Sequence, residues 1–126
     1  MPIDDGLSKL LVDELAPLGL VAVRRMFGAV GVFIDGLMIG LIEDGQLYLK
    51  VDDELRPRFE AAGLAPFTYT KATGKPVVMN LWQAPDSVLD DAEELRDWAA
   101  AALAAARRVH RAAKSRATPR RSRSRE

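Results

Sequence analysis

The sequence predicts an α+β fold in which helices pack on one antiparallel sheet. Three observations carry that expectation. Apolar residues recur at helical spacing near both ends, as Leu7, Leu10, Leu11 and Leu15 and again as Leu95, Trp98, Ala102 and Leu103. From residue 20 to residue 51, short apolar runs alternate with glycine-bearing turns. A chain of 126 residues has room for one sizeable core.

The elements follow in order. Residues 4–17 read as a helix, with Asp4 and Asp5 at its positive end and Pro17 and Gly19 at its stop. Residues 20–25 are rich in branched side chains and read as a strand, interrupted by Met26-Phe27-Gly28. Val30–Ile34 resumes as a strand, and Asp35-Gly36 is a two-residue signal for a type I′ hairpin. Leu37–Ile42 is a continuous apolar run, as expected of a strand buried on both faces. After Glu43-Asp44-Gly45, residues Gln46–Val51 alternate, with Leu47, Leu49 and Val51 on one side. The result is a meander of three or four strands.

Asp52 or Asp53 then caps a short helix with Pro57 in its first turn, Phe59 and Ala62 facing inward and Gly63 at its end. Phe67–Lys71 and Pro76–Trp82 form two further strands around Ala72-Thr73-Gly74, with Phe67 and Tyr69 on one side. Ser87 and Asp90 have the spacing of a capping box. An alanine-rich helix begins near Asp91 and extends into Arg107–Lys114. From Pro119 the Ser/Arg composition cannot bury a core, and disorder is expected. Residues 1–108 thus form the domain and 109–126 a basic, disordered tail.

Composition excludes several chemistries. Cysteine is absent, which removes disulfides, thiolate metal sites and cysteine nucleophiles. His110 is the single histidine, too few for a multi-histidine metal site. No serine sits in a Gly-x-Ser-x-Gly elbow, and outside the tail only Ser8 and Ser87 occur. Thr73-Gly74-Lys75-Pro76 fails as a phosphate loop: Tyr69 stands where glycine is needed, and Pro76 where Ser or Thr is needed. The acids Asp90, Asp91, Glu93, Glu94 and Asp97 suit a helix start, as do Asp52, Asp53 and Glu54. No enzyme activity, cofactor or metal is therefore expected. No apolar run approaches the ~18 residues of a membrane span, and no basic-then-apolar leader opens the chain. The expected location is the cytoplasm, away from membranes.

Net charge is zero, yet unevenly spread. Residues 107–126 hold nine basic groups against Glu126, a net of +8. The other 106 residues hold nine basic and 17 acidic groups, a net of −8. Such a split suggests a polyanion partner. The candidate nucleic-acid contacts are Arg107, Arg108, Arg111, Lys114, Arg116, Arg120, Arg121, Arg123 and Arg125. The other reading is a tail that only solubilises, or that docks on its own acidic body.

Arg24-Arg25-Met26-Phe27-Gly28 is a second candidate. It reads either as a bulged strand with Phe27 in the core or, with Lys50, as a basic and partly apolar recognition edge.

These residues resemble the N-terminal domain of the TfoX/Sxy family. The likeness runs from Arg24–Gly28 through Gly31-Val32-Phe33, the hairpin, Leu47–Asp52 and Arg56–Gly63. It continues in Gly74–Met79, Pro85 and the helix with Leu95 and Trp98, and so covers roughly residues 5–108. Met79-Asn80-Leu81-Trp82 departs from the family's usual Met-Pro-Tyr-Tyr. The resemblance implies a secretion-chaperone-like α+β fold: helix, meander, helix, two strands, helix. It also implies a non-enzymatic role in regulating competence, alongside the cyclic-AMP receptor protein. The family's best-known members carry a second, C-terminal domain; here a basic tail stands in its place, as in a single-domain member. The expected partner is an unidentified protein, such as a transcription regulator, with non-specific DNA held by the tail, and the chain acting as monomer or homodimer. The alternatives are a pure protein–protein adaptor with no nucleic-acid role and, more distantly, an enzyme or binder for a small anion using Arg24, Arg25 and Lys50.

Overall fold

A computed structural model describes residues 5–26, 28–70, 74 and 76–124, and the side chains of these up to Lys114 except at Asp5, Tyr69, Thr70 and residues 76–79. Helix α1 spans Asp5–Leu15 and passes into a 3₁₀ turn, Ala16–Leu18, that contains Pro17. Four strands follow: β1 Val21–Met26, β2 Ala29–Ile34, β3 Leu37–Glu43 and β4 Gln46–Lys50. Helix α2 is Arg56–Ala61, the strands β5 Pro66–Thr70 and β6 Pro76–Gln83 come next, and α3 runs Ala92–Ser124.

The meander has four strands, and it joins the later hairpin in one six-stranded antiparallel sheet of order β1-β2-β3-β4-β6-β5. The expected hairpin turn is present, with φ of 52° at Asp35 and 84° at Gly36. Asp52 is the capping acid of the pair proposed: its carboxylate accepts the Leu55 amide at 3.0 Å. The far end of α2 closes with Leu64 N–H donating to the Phe59 carbonyl at 3.1 Å and Gly63 N–H to that of Glu60 at 3.0 Å.

All helices cover one face of the sheet. There α1 places Leu11 and Leu15, α2 places Phe59 and α3 places Leu95, Ala99 and Ala102 on Val30, Val32, Ile34, Leu47 and Leu49. Among the described residues the opposite face carries no helix. Ala29, Leu41 and Leu81 are nonetheless buried there, under Met38, Tyr48 and Phe67.

A bulge explains the unbroken apolar run in β3. Val32 pairs with Gly40 and Phe33 with Met38, so Ile39 is the extra residue. Ile39 and Ile42 enter the main core while Leu41 joins the second cluster, so both faces of the strand are filled.

Two expectations change. Ala62 is exposed, because α2 is too short to turn a second residue after Phe59 inward. Ser87 is not the cap of α3. It lies in a 3₁₀ turn, Asp86–Leu89, and its hydroxyl donates to Glu94 Oε2 at 2.8 Å. Asp91 caps instead, accepting the Glu94 amide at 3.1 Å. Helix α3 extends through Arg107–Lys114 as expected, and its backbone runs on to Ser124. Extending a helix already nucleated by packing fixes only one residue per hydrogen bond, and Ala112, Ala113 and Ala117 favour it. The turn at Lys71-Ala72-Thr73 and residue Lys75 lie outside the described residues.

Candidate functional site

The basic run begins where burial ends. Among the described side chains of α3, Ala105 and Ala106 are the last that are buried. Beyond them Arg107, Val109, His110, Arg111 and Lys114 are exposed.

The first two cations are already engaged by the acidic body. Arg108 donates from Nε to Asp52 Oδ2 at 2.6 Å and from Nη2 to Asp52 Oδ1 at 2.9 Å. Glu54 Oε1 lies 3.4 Å from the same Nε. The Arg108 guanidinium holds the Asp52 carboxyl below the usual carboxylate range, with the Leu55 amide assisting and burial opposing. The same bond raises the pKa of Arg108. Arg107 is held more loosely, with Nη2 3.5 Å from Asp35 Oδ2 and both side chains about half exposed, 47% and 46%.

Asp35 also ties the start of the sheet. Its carboxylate accepts the Leu20 amide at 2.9 Å, and its own amide donates to the Leu20 carbonyl at 2.8 Å. The hairpin turn, the α1–β1 connection and the root of the basic helix therefore meet at one side chain. Sequence reasoning did not find Asp35 or Asp52 as partners of the arginines. Their only signal was opposite charge, across 72 and 56 positions.

Arg116, Arg120, Arg121 and Arg123 lie on the backbone of α3, and Arg125 is outside the described residues.

The second candidate does not assemble as one edge. Arg24 and Met26 alternate onto the uncovered face, and the Arg24 guanidinium lies over the Phe33 ring, 4.6 Å from its centre. Arg25 pairs with the core residue Val30 and belongs to the helix-bearing side. Lys50 shares the uncovered face but sits on β4, three strand spacings or about 14 Å from β1. Gly28 is exposed in the β1–β2 turn, and Phe27 lies outside the described residues.

Between Arg24 and Lys50 the uncovered face is apolar. Tyr48 and Phe67 meet edge to face at 4.8 Å between centres. Burial raises the Tyr48 pKa, aided by the charges of Glu43 and Asp44. A shallow recess between β4 and the 3₁₀ turn offers Asp86 as its single ionisable lining residue. Among the described residues no three His, Cys, Asp or Glu side chains gather as a metal site would need, and no helix is long and apolar enough to cross a membrane.

The six strands, helix α2, the end of α1 from Asp13 and the first half of α3 fall within residues 13–106, and over that span the sequence matches the family model of the TfoX N-terminal domain. The chain belongs to the TfoX N-terminal domain family. The match ends at Ala106, one residue before the basic run starts. The TfoX-like part is thus the acidic body, and the arginines that Asp35 and Asp52 hold come from outside it. Over 56 residues the chain is 41% identical to the DNA transformation protein TfoX1 of Aliivibrio fischeri, an alignment covering 44% of this chain and 27% of that protein. The chain therefore spans about a quarter of the length of that curated relative.

Proposed function

We propose that this TfoX-like chain is a non-enzymatic, competence-related regulatory module that engages nucleic acid without sequence preference through the basic end of α3. One observation carries the reading. Two carboxylates of the body hold the first two cations, and the other seven basic positions, 111–125, follow beyond Ala106. Charge without aromatic stacking groups suits phosphate contact and not base readout. The acidic body repels DNA, but screening over ~10 Å at 0.1 M salt keeps that repulsion local. A cytoplasmic location and a transcription regulator as protein partner belong to the same proposal.

Anisotropy of a labelled random duplex, titrated at several salt concentrations, tests it. With about five phosphate contacts, affinity falls by a factor of about 500 when monovalent salt rises fourfold. Replacing Arg111, Lys114, Arg116, Arg120, Arg121, Arg123 and Arg125 by glutamine abolishes binding and leaves the circular dichroism unchanged. If the substituted chain binds equally well, the contact lies elsewhere, on the face with Arg24 and Lys50.

A second reading is a protein–protein adaptor. It is favoured by the uncovered sheet face, where Phe33 lies under Arg24 and Met38, Tyr48 and Phe67 continue the apolar surface across the sheet, a composition enriched at interface centres. Absence of duplex binding even at low salt would make it the leading one.

A further inference from the structure

Arg108 stands two residues past Ala106, where α3 leaves the core. Its two hydrogen bonds reach a carboxylate that is itself fixed. Asp52 follows β4, accepts the Leu55 amide at 3.0 Å and leads into α2, while the neighbouring Val51 amide donates to Asn80 at 2.9 Å. The pair is sheltered, with the Arg108 side chain 28% exposed and that of Asp52 14%. A phosphate that captured Arg108 would strand a partly buried carboxylate, a costly exchange. Arg107 faces no such barrier, since its contact with Asp35 is long and half exposed. Arg111 and Lys114 are exposed, and neither has an ion pair among the described residues.

We propose that Arg108 is a positioning residue: its pair with Asp52 anchors the basic half of α3 to the body and aims it, so that phosphate contacts begin beyond it. The aiming role stands independently; the phosphate role rests on the nucleic-acid reading above. A helix fixed at its root presents its cations at set positions, which lowers the ordering cost of binding.

The chain contains no cysteine, so a pair of spin labels can be placed cleanly in the full-length protein, at Glu60→Cys on α2 and Ala113→Cys on α3. The expected distance distribution is narrow in this parent and broad in Arg108→Gln, with Arg108→Lys intermediate. Asp52→Asn cuts the same pair from the other side and covers the case in which Arg108→Gln folds poorly. In duplex titrations Arg108→Gln keeps the parent's log–log salt slope, whereas Lys114→Gln makes it shallower by about 0.9. An unchanged distance distribution in both Arg108→Gln and Asp52→Asn overturns the anchor. A slope shallower by about 0.9 in Arg108→Gln makes Arg108 a phosphate contact and overturns the assignment. If the parent binds no duplex, the nucleic-acid reading fails, and the distance measurement alone decides the anchor.

Discussion

Trp98 is the largest side chain that α3 sets against the rest of the molecule, and its removal measures how firmly that helix is docked. The residue is 9% exposed and joins the main core. Its ring meets the fully buried Phe59 edge to face, with centres 4.9 Å apart and planes at 83°. The Arg58 guanidinium lies 4.1 Å from the ring centre on the solvent side and bonds Asp97 at 2.7 Å. Trp98→Ala thus loses apolar burial, one aromatic pair worth about 0.5–1.5 kcal/mol and one cation–π contact of about 0.5–1 kcal/mol. The whole change comes to roughly 3–5 kcal/mol. With a urea slope of about 2 kcal/mol per molar, the midpoint drops by about 2 M. Trp82 remains as a fluorescent reporter 6.4 Å from Phe59, so urea unfolding can be followed by its emission and by the helical dichroism together. A double-mutant cycle with Arg58→Ala should return a coupling of about 0.5–1 kcal/mol. Coincident midpoints for the parent and Trp98→Ala would refute the claim that this ring holds α3 to α2.

The remaining predictions concern the sheet and the acidic pair. A Cβ at Gly36 has open space around it, so the cost of Gly36→Val, about 1–3 kcal/mol, should come mainly from the left-handed backbone, and chemical denaturation would detect it. Gly40→Ala sets a methyl group 2.5 Å from the Tyr48 carbonyl oxygen; a loss of about 1–3 kcal/mol and altered amide shifts in β3 and β4 are expected, and an unaltered midpoint would count against the bulged register. Asp52 has its pKa lowered in the folded state, so its pairing stabilises above the ordinary aspartate value of about 4 and is lost as pH falls through the folded value. The stability gap between the parent and Asp52→Asn should therefore be full at pH 7 and close on acidification; a gap that persists at the lowest pH would show that the charge is not responsible.

What the sequence by itself determined was periodic or local. The 3.6-residue spacing of Leu7 to Leu15 and of Leu95 to Leu103 gave two helices, and the period of two in Gln46–Val51 gave a strand. Asp35-Gly36 named its turn because that turn requires positive φ at both positions. Asp52 was legible as a cap because a cap bonds an amide only three residues away. Ser87 misled because Asp91 offers the same chemistry four residues later, and the intervening 3₁₀ turn settles which one meets the helix. The basic residues were legible as a composition, but what each one does was not. Only the tertiary structure brought Asp52 to Arg108 and Asp35 to Arg107, put Lys50 three strands from Arg24, and made Ile39 the extra residue of a bulge. Periodicity is written into neighbouring residues, because backbone geometry repeats every few positions. Ion pairs and register depend on which distant segments the folded chain brings within a few ångströms, and no local pattern encodes that.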